Sequence, residues 1–297
     1  MFALVFQALA LPSAHADWRK ELGTFRIGMI EAQAKQFSPE DMDRLKAAMS
    51  GALGIPVEIF RARDFPSLID AHVSSRIEYA LYSSAAYATA WLTCQCVEPV
   101  AAPVNADGSS GYRAVVFSRP AMQLKDLPQS RGLAITGRDS LIGFCVPLAS
   151  MSVSGASLNG KEAWLLFAES PSASVAAYRD GKVDALIAVV QVSFKSGSPT
   201  ANLPWLESLN PDGGKPAAIW ESAQIPFGPH AVRKNLAPEA KEIALALLAK
   251  LPETDLELSE LLLPDDAVAF KPTEHGAYAL AVNAARALAA VSGAASP

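Results

Sequence analysis

Short apolar runs that end in a serine at the mouth of a helical segment constrain this chain more than any other feature, because they recur. Tyr79-Ala80-Leu81-Tyr82 leads to Ser83-Ser84, Leu133-Ala134-Ile135-Thr136 to Asp139-Ser140, and Trp164-Leu165-Leu166-Phe167 to Ser170-Pro171. A serine at a helix start accepts a hydrogen bond from one of the unpaired N–H groups there. The N–H groups left over, with the positive end of the helix dipole, can receive an anion. Strands alternating with helices of this length predict βαβ units, parallel pairing and right-handed crossovers.

The alternation comes in two runs. In the first, Phe25 to Ile30 reads as a buried strand, and Ser38-Pro39-Glu40-Asp41 opens a helix with Leu45, Ala48 and Met49 on its buried face. A strand over Ile55 to Phe60, a helix from about Asp64 to Val73 and the strand Tyr79 to Tyr82 follow. Val97 to Val104 and Tyr112 to Ser118 then read as extended segments flanking a polar turn, Asn105 to Gly111. The second run has strands near Leu133 to Thr136, Trp164 to Ala168 and Val183 to Val190, with helices opening near Ser140 and Ser170. After a polar interval from Ser196 to Pro216 come a strand pair, Ala217 to Trp220 and Ile225 to Val232, and a helical remainder, Glu239 to Leu251 and about Thr273 to Val291. The pattern predicts an α/β chain of two lobes, each a mixed sheet flanked by helices. Residues 17–117 plus 219–297 form lobe 1 and 118–218 lobe 2, with a ligand cleft at the hinge.

At 51% hydrophobic and 19% charged, the chain has ample apolar residue to build both cores. A net charge of -5 and the lack of any Lys/Arg run exclude a nucleic-acid surface, which needs clustered positive charge along the phosphate track. Met1 to Ala16 carries no Asp, Glu, Lys or Arg and ends in Ser13-Ala14-His15-Ala16, the small-x-small pattern of a signal peptide cut after Ala16. The expectation is an exported chain. Cys94, Cys96 and Cys145 are too few for a disulfide scaffold; one bridge is possible, and the sequence does not choose the pairing. His72, His230 and His275 lack ligand spacing, so no metal site is expected. No G-x-S-x-G elbow occurs, and no histidine lies near these serines in sequence to complete a triad.

Several stretches resemble the phosphate/phosphite/phosphonate-binding solute receptors of bacterial ABC importers. They are Phe25 to Ile30, Glu78 to Tyr87, Val183-Asp184-Ala185 after Gly181-Lys182, and Ile219-Trp220-Glu221-Ser222 with Ile225-Pro226-Phe227-Gly228-Pro229 and Val232 to Leu236. Together with Gly111-Tyr112 and Lys125-Asp126-Leu127, they follow the family's order over nearly the whole mature chain. The resemblance implies a type II-like periplasmic-binding-protein fold that closes over a small anionic or zwitterionic ligand and delivers it to an ABC permease. It implies a periplasmic location, no cofactor and no catalysis. The candidate ligand-binding residues are Tyr82, Ser83, Ser84 and Ser170 at the strand ends and helix starts, Arg138 as a counter-ion for an anion, and, through the resemblance, Tyr87, Ser140 and Gly143. The family's S-T-S-G triplet falls on Ser140-Leu141-Ile142-Gly143, its histidine on Pro171, and its acidic residue near Ala188 or Val189.

Each lost hydroxyl or ionic hydrogen bond forfeits roughly 1.5 to 3 kcal/mol toward a tetrahedral anion. The departures therefore point to an altered ligand, such as a carboxylate or a substituted phosphonate. A sensing input for a signalling partner would suit the same scaffold.

Overall fold

The computed structural model describes residues 17–191, 209, 215–264 and 266–292. The leader expected to end at Ala16 and most of the Ser196–Pro216 interval lie outside the described residues. The first half contains α1 (Trp18–Leu22), β1 (Phe25–Ile30), α2 (Glu31–Ala34), α3 (Pro39–Leu53), β2 (Val57–Ala62), α4 (Phe65–Val73), β3 (Tyr79–Leu81), α5 (Ser84–Cys94) and β4 (Val97–Asn105). The second contains β5 (Gly111–Ser118), β6 (Leu133–Ile135), α6 (Val146–Ser150), the hairpin β7 (Ser152–Val153) and β8 (Ala156–Ser157), β9 (Leu165–Phe167), α7 (Pro171–Arg179), β10 (Ala185–Gln191), β11 (Ala217–Glu221) and β12 (Ile225–Pro226). The return comprises β13 (His230–Arg233), α8 (Pro238–Thr254), α9 (Leu256–Leu262), β14 (Ala267–Pro272) and α10 (Ala279–Ser292).

Two mixed sheets result. The first has the order β14-β4-β13-β3-β1-β2, the second β11-β5-β10-β6-β9 with β12 also on β5. Parallel pairing of β1 with β2 and β3, and of β6 with β9 and β10, carries the βαβ units. Local chemistry sets the helix starts: the Ser38 hydroxyl accepts from the Asp41 N–H at 3.1 Å while the Asp41 carboxylate accepts from the Ser38 N–H at 3.0 Å, and Gly54 ends the helix at φ 74°.

Each sheet buries both faces. In the first, Phe25, Ile27, Met29 and Tyr79 pack on α3 and α8, while Ala80 and Tyr82 pack with Leu68, Ile77 and Tyr87 on the other side. In the second, Val116, Ile135 and Ile187 pack on Phe144 and Val146, and Val115, Phe117 and Leu186 on Tyr178 of α7. Helix α10 packs against both α5 and α6, burying Ala281, Val282 and Ala284 in the second core. It thus belongs to neither half alone.

The chain changes sheets between Asn105 and Gly111 and returns between Pro226 and His230. The boundary expected after residue 117 therefore cuts through β5, and the one expected before 219 cuts through β11. Strand β5 belongs to the second sheet because it pairs with β10 over seven residues. The single strand expected over Ile225 to Val232 is two, one in each sheet: Pro226 and Pro229 have no N–H to give a ladder. The expected helical remainder also contains β14, whose antiparallel ladder with β4 closes the first sheet's edge.

Candidate functional site

The carboxyl ends of β1, β3 and β4 and the start of β13 enclose a cavity of about 250 Å³, next to the edge where open α/β sheets bind ligands. Apolar side chains form most of its wall: Phe37, Phe65, Leu81, Pro103 and the Leu261–Leu263 segment. The polar lining is Gln33, Gln36, Ser83 and His230, with no Arg, Lys, Asp or Glu among the described lining residues. Ser83 caps α5, its hydroxyl accepting from the Ala86 N–H at 3.1 Å and retaining its own proton to donate. Gln33 follows β1 directly and spends its carbonyl on the Ile30 N–H at 3.1 Å, which leaves its amide NH₂.

Gly228 lets the returning chain pass against this turn. A Cβ there would lie 2.1 Å from the Tyr82 carbonyl oxygen and 2.9 Å from the Ser83 Cα. The Tyr82 N–H donates to the Pro229 carbonyl at 3.1 Å, fixing the same approach.

Three tyrosines around the turn are each held by a histidine. Tyr79 bonds His230 Nδ1, Tyr82 bonds His72 Nδ1 at 3.1 Å, and Tyr87 bonds His275 Nδ1 at 3.0 Å. Burial pushes the His72 imidazole down to about 3 and the His230 imidazole down to about 4, so both are neutral at pH 7. Tyr82 lines the cavity but turns its hydroxyl toward α4, and Tyr87 lies in the core between β3 and the His275–Tyr278 turn. The Ser84 hydroxyl is also committed, donating to the Pro226 carbonyl at 2.6 Å on the return crossing. That crossing is tied to the outward one by Phe227 N–H to the Ser110 carbonyl at 3.0 Å and by the Gln224 amide to the Ser110 hydroxyl at 3.0 Å. Asn105 adds bonds to the Ser109 hydroxyl at 2.9 Å and to Gln191 of β10 at 3.3 Å.

The remaining expected residues sit at the carboxyl edge of the second sheet. Ser140 opens a π-helical turn over Leu141–Cys145, its hydroxyl accepting from the Gly143 N–H at 3.0 Å. Gly143 is a buried residue of that turn, where a Cβ would meet the Thr136 hydroxyl oxygen at 1.7 Å. Thr136, absent from the expected set, directly follows β6 with a buried hydroxyl that has no hydrogen-bond partner. Arg138 donates to the Gly160 carbonyl at 3.0 Å and lays its guanidinium 4.1 Å from the centre of the Phe167 ring. Arg113 pairs with Glu221 at 2.8 Å. Ser170 caps α7 through the Ala173 N–H at 3.1 Å and meets the Ser172 hydroxyl at 2.9 Å. Val189 of β10 stays 45% exposed.

The structure brings Tyr82 and Ser83 to the cavity wall, Ser84 to the hinge, and Arg138, Ser140 and Gly143 to one turn of the second lobe. Gln33 and the Leu261–Leu263 wall were missed. Gln33 follows a strand without the serine signal, and the leucines reach the cavity only through the fold's return to the first sheet.

A family model described as ABC transporter, phosphonate, periplasmic substrate-binding protein matches residues 27–278. No curated protein sequence matches the chain. Among solved structures, XAC2383 from Xanthomonas citri bound to ATP is similar at a TM-score of 0.58 and 14% identity, covering 91% of this chain and 98% of that one. The same protein bound to chloride gives 0.57 and 14%, over 92% and 100%. Mh-p37 from Mycoplasma hyorhinis gives 0.53 and 9%, over 84% and 94%. At such identities these likenesses speak for the two-lobed α/β fold alone.

Proposed function

This chain belongs to the periplasmic substrate-binding proteins of phosphonate-type ABC transporters, and we propose that it binds a small anionic or zwitterionic ligand between its lobes and presents it to an inner-membrane permease. The observation that carries the reading is the cavity at the carboxyl edge of the first sheet, bounded by the Ser83 helix start, in a chain the family model matches over 27–278. Ser83 and the free N–H groups at the start of α5 would take the ligand from the first lobe. The turns at Ser140 and Ser170, with the N–H groups of Arg138 not spent on Gly160, would take it from the second. The paired crossings at Asn105–Gly111 and Ser222–Pro229 form the hinge about which the lobes close.

The reading assigns the chain binding and delivery; His72 and His230 are engaged by tyrosines inside the first lobe. Among the described residues no helix is long and apolar enough to cross a membrane.

The test is calorimetry and thermal shift on the mature chain with phosphate, phosphite, alkylphosphonates, aminoethylphosphonate and small carboxylates, beside Ser140→Ala. A true ligand at a hundred times its Kd stabilises by about 2.7 kcal/mol, a shift of a few degrees in Tm. Silence across the whole panel sinks the reading.

A further inference from the structure

We propose that the first-lobe cavity seats an apolar substituent of the ligand, making the preferred ligand an organophosphonate or carboxylate with an alkyl or aryl group rather than an inorganic or amino-substituted anion. The inference rests on the anion-binding reading above and narrows its substrate class.

The lining carries the argument. Phe37, Phe65, Leu81, Leu261 and Leu263 surround the space, and no acidic side chain among the described lining residues could receive an ammonium group. An ammonium group would give up part of its hydration on entering and find no acidic partner here, so an aminoalkyl arm is disfavoured against an apolar one. Two polar groups that could have faced the space are withdrawn from it. The Tyr82 hydroxyl goes to His72, and the His230 Nδ1 to Tyr79. What remains polar, the Ser83 hydroxyl, the Gln33 and Gln36 amides and the second nitrogen of the neutral His230 ring, can hold an uncharged or anionic atom but offers no negative charge.

Size agrees with this occupant. A volume of about 250 Å³ is room for about eight waters at their liquid volume of roughly 30 Å³, or for a butyl or phenyl group. The cavity opens beside the start of α5, so a substituent seated in it leaves its anionic end within reach of the Ser83 turn.

A chain-length series tests the assignment: calorimetry of the full chain with methyl-, ethyl-, propyl- and butylphosphonate, with aminoethylphosphonate as the charged isostere of propylphosphonate. Burial of each methylene is expected to lower Kd about fourfold. Propylphosphonate should outbind aminoethylphosphonate. Phe65→Ala, at a half-buried position, should weaken butylphosphonate about tenfold and flatten the chain-length series, with methylphosphonate losing least. A flat series with binding retained, or tighter binding of the amino compound, overturns this inference and leaves the anion-binding reading standing. Failure of every member to bind overturns both.

Discussion

The carboxyl edges of the two sheets start from the same local pattern, a short strand running into a serine-capped helix, and finish differently. In the first lobe, chain returning from the second passes over the turn at Gly228 and Pro229, and the Leu261–Leu263 segment closes the far side. A cavity remains between them. In the second lobe the turns at Ser140 and Ser170 are held by bonds to their own first helical turn, and the nearby arginines are engaged by Gly160 and Glu221. A serine cap therefore fixes where a helix begins, whereas a cavity depends on what the distant chain lays across that beginning.

The sharpest way to break this contrast is to add one methyl group to each edge. Gly228→Ala would drive a Cβ to 2.1 Å from the Tyr82 carbonyl oxygen, a backbone atom fixed by two paired strands. The expected cost is about 3 kcal/mol or more in urea unfolding, enough to threaten folding at 25 °C. Gly143→Ala meets two side-chain oxygens instead, Thr136 at 1.7 Å and Ser140 at 2.8 Å. It should cost about 1–2 kcal/mol, and Thr136→Ala in the same chain should restore part of it by removing the nearer obstacle. Equal costs at the two glycines, or no recovery in the double variant, would show that long-range closure does not distinguish the edges.

Acid should next separate the lobes. His72 and His230 are held by burial at about 3 and about 4, below the usual value of about 6.5, so the folded state resists protons that the unfolded state accepts. The stability this confers is present above pH 6.5 and is lost as pH falls toward 4. Between pH 6.5 and 5.5 the pair should cost on the order of 2 kcal/mol. Glu78, raised by burial at the start of β3, acts in the opposite sense at lower pH, which makes the upper window the cleaner one. Hydrogen exchange at pH 6.5 and 5.5 should show protection falling in β1, β3 and β13 while β5 and β10 hold. Loss beginning in the second sheet would contradict the assignment.

How much of this was legible in the sequence follows from what is local. The capped starts at Ser38, Ser83, Ser140 and Ser170 all appear in the structure, because each is decided within three residues. The two-lobed α/β class was legible too, since strand and helix alternation needs no long-range information. Tyr82 does line the cavity, but its hydroxyl goes to His72, 10 residues away, and Tyr87 lies in the core with its hydroxyl on His275, 188 residues away. Asp184 of the Val183-Asp184-Ala185 motif likewise serves the fold, accepting from the Arg131 N–H at 2.8 Å. Strand β14 eluded the reading because only Phe270 among its residues is buried, leaving no clear period-two signal.

The smallest expected contrast concerns sulfur. Cys94 and Cys96 are bonded in the first lobe, and Cys145 lies free and buried in the second, which resolves the pairing the sequence left open. Bridging residues only two apart removes little freedom from the unfolded chain, about 1.5 kcal/mol in the loop-entropy account, against about 3 for a loop of fifteen residues. Backbone bonds hold the same turn, from Gln95 N–H to the Trp91 carbonyl and from Lys234 N–H to the Cys96 carbonyl, each at 2.7 Å. Cys94→Ser with Cys96→Ser should therefore lower the unfolding free energy by no more than about 1.5 kcal/mol and leave ligand binding intact. Cys145 should stay unreactive: burial, reinforced by Asp139, pushes its thiol up to about 11, so almost no thiolate exists at pH 7. Alkylation of the oxidised chain should find no thiol in the native protein and one after unfolding; a thiol that reacts in the native state would mean that the second lobe opens its core where the first does not.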